Sequence, residues 1–281
     1  MVLATLLWGA TFVVIRDSLH AVAPLELVGG RFAMASVVLV LLALPRRRRL
    51  TRATVVGGAL AGFCFAGGFL AQAIGLTATS AGSSAFLTCA GTLFAAFFAW
   101  PLLGQRPPAV LLQGLATALV GSALLSFGAA GGGARPGPGE LWTLVGAVIF
   151  GLQIVVLARF APEADGILLG AVQALTATAV LLPFTHGGAA MFGALGGADR
   201  WRLAYLVLAG SVVAPLLQIV AQRRLSAGRV ALLFALEPVF ALGFAILLGG
   251  EGFAPRWWLG AALILTGVIR VEWRAARPVS A

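Results

Sequence analysis

The chain has 281 residues, 60% of them hydrophobic and only 10% charged, with a mean hydropathy of +1.03. Soluble domains carry about 25% charged residues, so the composition excludes an ordinary soluble domain and places the chain in a bilayer. The basic residues behind the net charge of +10 are all arginine and lie between apolar runs instead of in one patch, which argues against a nucleic-acid partner.

The first element, MVLATLLWGATFVVIR, has neither a basic leading region nor a small-residue cleavage site, so it reads as a membrane helix over 2–19 and not as a signal peptide. Its apolar run is shorter than the ~20 residues of a usual span. Either Arg16 snorkels and the helix runs on toward His20, or further residues precede Met1. Apolar runs then predict helices over 24–44, 54–76, 80–103 and 107–128. A Gly/Pro-rich stretch, GAAGGGARPGPGE, makes residues 129–140 an outer linker between two halves, 1–128 and 141–281. Five more helices follow over 141–160, 166–185, 202–223, 228–249 and 254–272, with a short tail. The fold class is therefore an all-α integral membrane protein of about ten spans. Within it, Gly58 and Gly62 form a small-xxx-small packing motif, and Tyr205 and the pair Trp257-Trp258 read as interface anchors.

Arginine placement orients the chain, because cytoplasmic loops collect positive charge. With the N-terminus inside, the cytoplasmic face holds Arg46–Arg49, Arg52, Arg106, Arg159, Arg223, Arg224, Arg229, Arg270, Arg274 and Arg277. The outer face holds only Arg16, Arg135, Arg200, Arg202 and Arg256. Both termini are expected in the cytoplasm and the protein in the plasma (inner) membrane as a multi-pass chain.

Sliding the chain on itself by about 146 residues aligns Gln72 with Gln218, Ser80-Ala81-Gly82 with Ser226-Ala227-Gly228, and Phe94-Ala95 with Phe240-Ala241. Gly104, Gly114 and Gly121 meet Gly250, Gly260 and Gly267 in the same register. A shift of about 142 sets Trp8 over Phe150 and Arg31 over Gln173. Each half has an odd number of expected spans, so the second enters the membrane from the opposite side. This is the inverted-topology repeat of secondary transporters.

The motifs SAG, LEPVFA, LLGGE and LGAALILTGV of the second half, TSAG, LLGQ and LQGLATALVG of the first, and the opening WGATFVVIR and GGRF resemble the EamA-type transporters of the drug/metabolite transporter superfamily. The resemblance covers essentially the whole chain and is most similar to the YddG-type amino-acid exporters. It implies a five-plus-five inverted-repeat exporter of small metabolites, commonly amino acids. Two positions depart from it: first repeats of the family often carry Pro and Glu where this chain has Thr92 and Gln105, while the second repeat keeps Pro238 and Glu251.

Polar residues inside spans are the candidate functional residues, since a charge in the hydrocarbon costs at least ~2.5 kcal/mol. Glu237 sits mid-span, and Pro238 after it withholds a backbone N–H and kinks the helix, together marking a cavity wall. Arg31 lies about 10 Å deep on the 1.5 Å rise of a helix, near the depth of Glu237; the two either pair or flank a zwitterion's ends. Trp8, Thr11, Gln153 and Gln173 complete the expected substrate-binding set, with interhelical hydrogen bonding as the alternative for the glutamines. Gln72 and Gln218, near opposite ends of their helices, are expected to act as gates.

No phosphate-binding loop is present, the histidines His20 and His186 fall in outer loops, and Cys64 and Cys89 lie inside apolar runs. No cofactor, metal or catalytic residue is expected, and the chain is not read as an enzyme. The partners are a small polar metabolite, the lipid bilayer and, through Glu237, protons as the coupling ion. A lipophilic-drug exporter of the same fold is the alternative; a lipid enzyme would need its catalytic groups clustered at one interface, and a passive channel is the third option, which saturable, counterflow-competent uptake in liposomes would exclude.

Overall fold

The structure, a computed structural model, describes residues 1–126, 137–186, 200–248 and 256–276. Among the described residues all regular secondary structure is helical, without strands. The helices are α1 (Val2–Ser18), α2 (Pro24–Ala43), α3 (Arg52–Leu76), α4 (Ala81–Cys89), α5 (Gly91–Leu103), α6 (Ala109–Ser126), α7 (Pro138–Phe160) and α8 (Gly166–Leu181) in the first two thirds of the chain. They continue with α9 (Arg200–Val207), a π-helical segment (Leu208–Val213), α10 (Ala214–Gln222), α11 (Ala227–Phe234), α12 (Glu237–Leu247) and α13 (Arg256–Ala276).

Among the described residues, seven helical stretches are long and apolar enough to cross a membrane: Pro24–Arg49, Arg52–Leu76, Ala81–Leu103, Pro138–Glu163, Gly166–Phe184, Arg200–Gln222 and Ala227–Leu247. Of the other three expected spans, α1 is 17 residues long, the apolar run of α6 is Ala109–Leu124, and α13 carries Arg256, Arg270, Glu272 and Arg274.

Local chemistry sets the helix starts. Thr51, Ser80 and Ser226 each accept a hydrogen bond from the backbone N–H three residues on, and Asp165 accepts from Ile167 and Leu168. Pro24 and Pro138 open α2 and α7, where a missing N–H leaves nothing unpaired. Helix α7 includes Pro138, Gly139 and Glu140 of the expected linker 129–140; residues 127–136 lie outside the described residues.

Three spans expected to be continuous are interrupted. The 80–103 span breaks at Ala90, between α4 and α5; the 228–249 span breaks at Ala235–Leu236, between α11 and α12. The 202–223 span contains the π-helical segment. Pro238 falls in the first turn of α12, just after the Ala235–Leu236 break, where it has no N–H to offer the carbonyl one turn earlier.

Small residues let backbones approach. A Cβ on Gly62 of α3 would stand 2.5 Å from the Gln173 carbonyl of α8, and one on Gly58 2.6 Å from Val172. Gly9 of α1 packs on Phe240 and Ala241 of α12, and Gly151 of α7 packs on Phe94 and Ala95 of α5. Helices α6 and α13 run antiparallel, with Gly114 against Gly267 and Gly121 against Gly260. Between helix ends, polar contacts join Arg49 to Asp165, Gln105 to the N–H of Ala227, and Arg229 to Glu272. A second group joins Asp17 to Arg202, Glu26 to His186, and Thr79 to Glu140.

Candidate substrate cavity

The two helix breaks meet at a central cavity. Cys89, Gly91 and Thr92 reach it from the α4–α5 break, and Phe234 and Glu237 from the α11–α12 break. A broken helix brings its termini to mid-bilayer depth, which is tolerated where the backbone lines a cavity or is buried in protein. Glu237 is the first residue of α12 and 7% exposed. Its carboxylate sits at the positive end of the α12 dipole, an arrangement worth up to ~1 kcal/mol. Among the described residues it makes no hydrogen bond or ion pair, and it opens onto the cavity.

Helices α1, α3, α7 and α10 supply the remaining wall. Trp8 and Thr11, three apart on α1, face it together; so do Phe65, Phe69 and Gln72 on one stripe of α3, and Phe150 and Gln153 on α7. Trp8 stacks on Phe234 with ring centroids 5.3 Å apart, and its indole N–H donates to the Gly210 carbonyl in the π-helical segment at 2.9 Å. Gln153 and Gln218 form a reciprocal amide pair: Gln218 Nε2 donates to Gln153 Oε1 at 2.9 Å and Gln153 Nε2 to Gln218 Oε1 at 3.3 Å. Gln72 Nε2 donates to Thr88 Oγ1 at 3.1 Å. The space open to water centres is about 50 Å³, which admits only a few waters at ~10–15 Å³ each. The cavity is narrow in this conformation.

Of the residues singled out in the sequence, Trp8, Thr11, Gln72, Gln153, Gln218 and Glu237 therefore share one cavity wall, with Pro238 immediately behind Glu237. Gln72 and Gln218, expected as gates near opposite helix ends, both reach this cavity, each bonded to another lining residue; depth counted along a straight helix does not say where a side chain points. Arg31 and Gln173 are outside the lining. Gln173 is buried on α8, which packs closely on α3, and its Oε1 has no hydrogen-bond partner among the described residues. Arg31 is fully buried on α2, bonded through Nε to Ser211 Oγ at 3.0 Å, with its guanidinium carbon 4.3 Å from the Phe69 ring centroid. It makes no pair with Glu237, because α2 directs it to the π-helical segment.

Sequence reasoning missed Thr88, Phe69 and Phe234. The repeat register held the signal for two of them, since Thr88 aligns with Phe234 as Gly91 aligns with Glu237. Helical spacing from Gln72 marks Phe69, three residues earlier on the same face.

The profile of the EamA-like transporter family matches residues 1–127 and 137–272. The chain belongs to the EamA-like transporter family. It is a membrane transporter. Among similar proteins, this EamA-like transporter is 28% identical over 291 residues to a probable amino-acid metabolite efflux pump of Escherichia coli (strain K12), covering 98% of this chain and 95% of that one. It is 26% identical over 274 residues to the inner membrane transporter YedA of the same strain, covering 95% of this chain and 87% of that one. A transporter of Archaeoglobus fulgidus is also 26% identical over 274 residues, covering 98% and 85%. A solved crystal structure shares the fold, with a TM-score of 0.77 at 21% identity over 99% of this chain and 96% of that chain.

Proposed function

We propose that this EamA-like transporter is a secondary transporter that exports small polar metabolites, amino acids foremost, by alternating access around the central cavity. The convergence of polar residues from both halves on that one cavity carries the reading. Trp8, Thr11, Gln72, Gln153, Gln218 and Glu237 offer an aromatic surface, neutral hydrogen-bonding groups and one carboxylate, a set suited to an apolar side chain and an ammonium group. The name of the Escherichia coli efflux relative supports the same substrate class.

Alternating access here uses ten spans in two inverted five-helix repeats, 1–128 and 141–281. The packing supports this: Gly9 on Phe240–Ala241 is repeated as Gly151 on Phe94–Ala95, with offsets of 142 and 146 residues. Antiparallel α6 and α13 exchange equivalent glycines across their contact. The two groups of polar contacts between helix ends also sort as alternating spans require, with Arg49, Asp165, Gln105 and Ala227 on the cytoplasmic side and Asp17, Arg202, Glu26 and His186 outside. Export then proceeds across the plasma membrane, both termini cytoplasmic, with Glu237 carrying the coupling proton.

The aromatic share of the lining favours a second reading, export of lipophilic cations, which rings and a carboxylate also bind. Counterflow in liposomes separates the two. The expected result is saturable exchange of apolar amino acids, stimulated by a pH gradient, with Glu237→Gln folding normally but losing the stimulation. Exchange confined to lipophilic cations would replace the proposal with the second reading.

A further inference from the structure

Arg31 is held differently from every other arginine among the described residues. It is fully buried in the span of α2, and its Nε donates to Ser211 Oγ, which itself donates to the Leu206 carbonyl at 2.8 Å. That tether fixes one edge of the guanidinium. The other two nitrogens, Nη1 and Nη2, are buried and have no hydrogen-bond partner among the described residues. Their immediate cover is aromatic: the guanidinium carbon lies 4.3 Å from the Phe69 ring centroid and 5.1 Å from that of Phe32. Cation–π attraction offsets part of the burial cost but satisfies none of the N–H donors. A purely structural arginine would be expected to spend these donors on a carboxylate or on backbone carbonyls.

Phe69 is also a lining residue of the cavity, so Arg31 stands one ring away from it. That ring is held by edge contacts with Phe65 and Phe150, centroids 5.1 Å and 4.9 Å away, and both neighbours line the cavity too. Such edge contacts are worth only about 0.5–1.5 kcal/mol each beyond the area they bury. A rotation of Phe69 needs no polar bond broken, and behind that ring lie the unpartnered Nη1 and Nη2 donors, the edge of an arginine that grips a carboxylate in a two-pronged fork.

We propose that Arg31 is the carboxylate-recognising residue of this transporter, and that Phe69 is a movable partition closing it off from the cavity in the present conformation. Substrates must then carry a carboxylate for Arg31, while Glu237 at the α12 start faces their ammonium group. This rests on the transport reading above and narrows it to carboxylate-bearing compounds, which excludes simple lipophilic cations.

Full-length protein in liposomes tests it with four probes: leucine, phenylalanine and the carboxamide of each, which keeps the ammonium and side chain and lacks only the charged carboxylate. The wild type is expected to exchange the amino acids with at least tenfold lower half-saturation than the amides. Arg31→Gln should erase that preference while retaining amide exchange, which reports that the variant is folded, and Arg31→Lys should restore part of it. Phe69→Ala, which removes the partition and leaves Arg31 in place, should improve apparent affinity for the amino acids severalfold relative to that for their amides. Equal handling of acids and amides by the wild type would overturn the role of Arg31 and leave the transport reading standing, as would an equal loss of both probes in Arg31→Gln. Movement of none of the four by the wild type would overturn the transport reading and this inference with it.

Discussion

At the scale of single residues, the cavity is built from polar groups with very different freedom. Glu237 faces open space, whereas Gln153 and Gln218 satisfy each other across α7 and α10. A buried amide pair contributes modestly while intact, but a lone survivor is left with unsatisfied donors and acceptors at a cost of about 1–3 kcal/mol. Gln153→Leu and Gln218→Leu should therefore each destabilise the purified protein by about that amount. The double variant should be less destabilised than the sum of the two, because no orphan amide remains. Thermal unfolding of the three variants in detergent checks this, and strictly additive losses would show that the pair does not act as one unit.

At the scale of elements, backbone contacts and helix breaks carry the architecture. The α3–α8 contact depends on Gly62, where any Cβ meets a backbone carbonyl at 2.5 Å that cannot rotate away. Gly62→Leu is expected to cost about 3 kcal/mol or more, at the upper end of what overpacking does. Pro238→Ala should cost less than about 1 kcal/mol, because Pro238 sits in a first helical turn and the first-half break at Ala90 forms with Thr92 in the matching position. Comparing the midpoints of unfolding for the two variants tests the contrast. A larger loss for Pro238→Ala would restore proline as the cause of the break. The π-helical segment Leu208–Val213 is the third interruption, pinned by Trp8 from α1 and by Arg31 from α2. Segments of this kind are frequent at functional sites, and this one links the cavity wall to the buried arginine.

For the whole molecule, the arrangement of arginines predicts sidedness. A single reporter cysteine placed at Arg52, in a chain with Cys64 and Cys89 replaced by Ala, should react with membrane-impermeant maleimide only after the cells are opened. One placed at Gly137 should react in intact cells. Labelling of the Arg52 position from outside would invert the proposed topology, including the cytoplasmic termini. The membrane class, the approximate helix positions and the duplication were all legible in the sequence, because each follows from local composition or from self-similarity. Hydropathy reports which residues avoid water whatever their neighbours, and the offset of about 146 residues is visible without coordinates. Depth along the chain likewise picked out Glu237, Arg31 and the glutamines, since a polar group in hydrocarbon needs a reason to be there. What remained hidden was direction around each helix axis and the partner met there. Only the packing of α1, α3, α7 and α10 against the two breaks put Gln72 and Gln218 on one cavity, and only the path of α2 beside the π-helical segment kept Arg31 behind Phe69. The breaks themselves were equally hidden, because Ala90 and the Ala235–Leu236 step are apolar and helix-compatible. Whether a helix breaks at such a step depends on the contacts met there as well as on the small local preferences that a sequence displays.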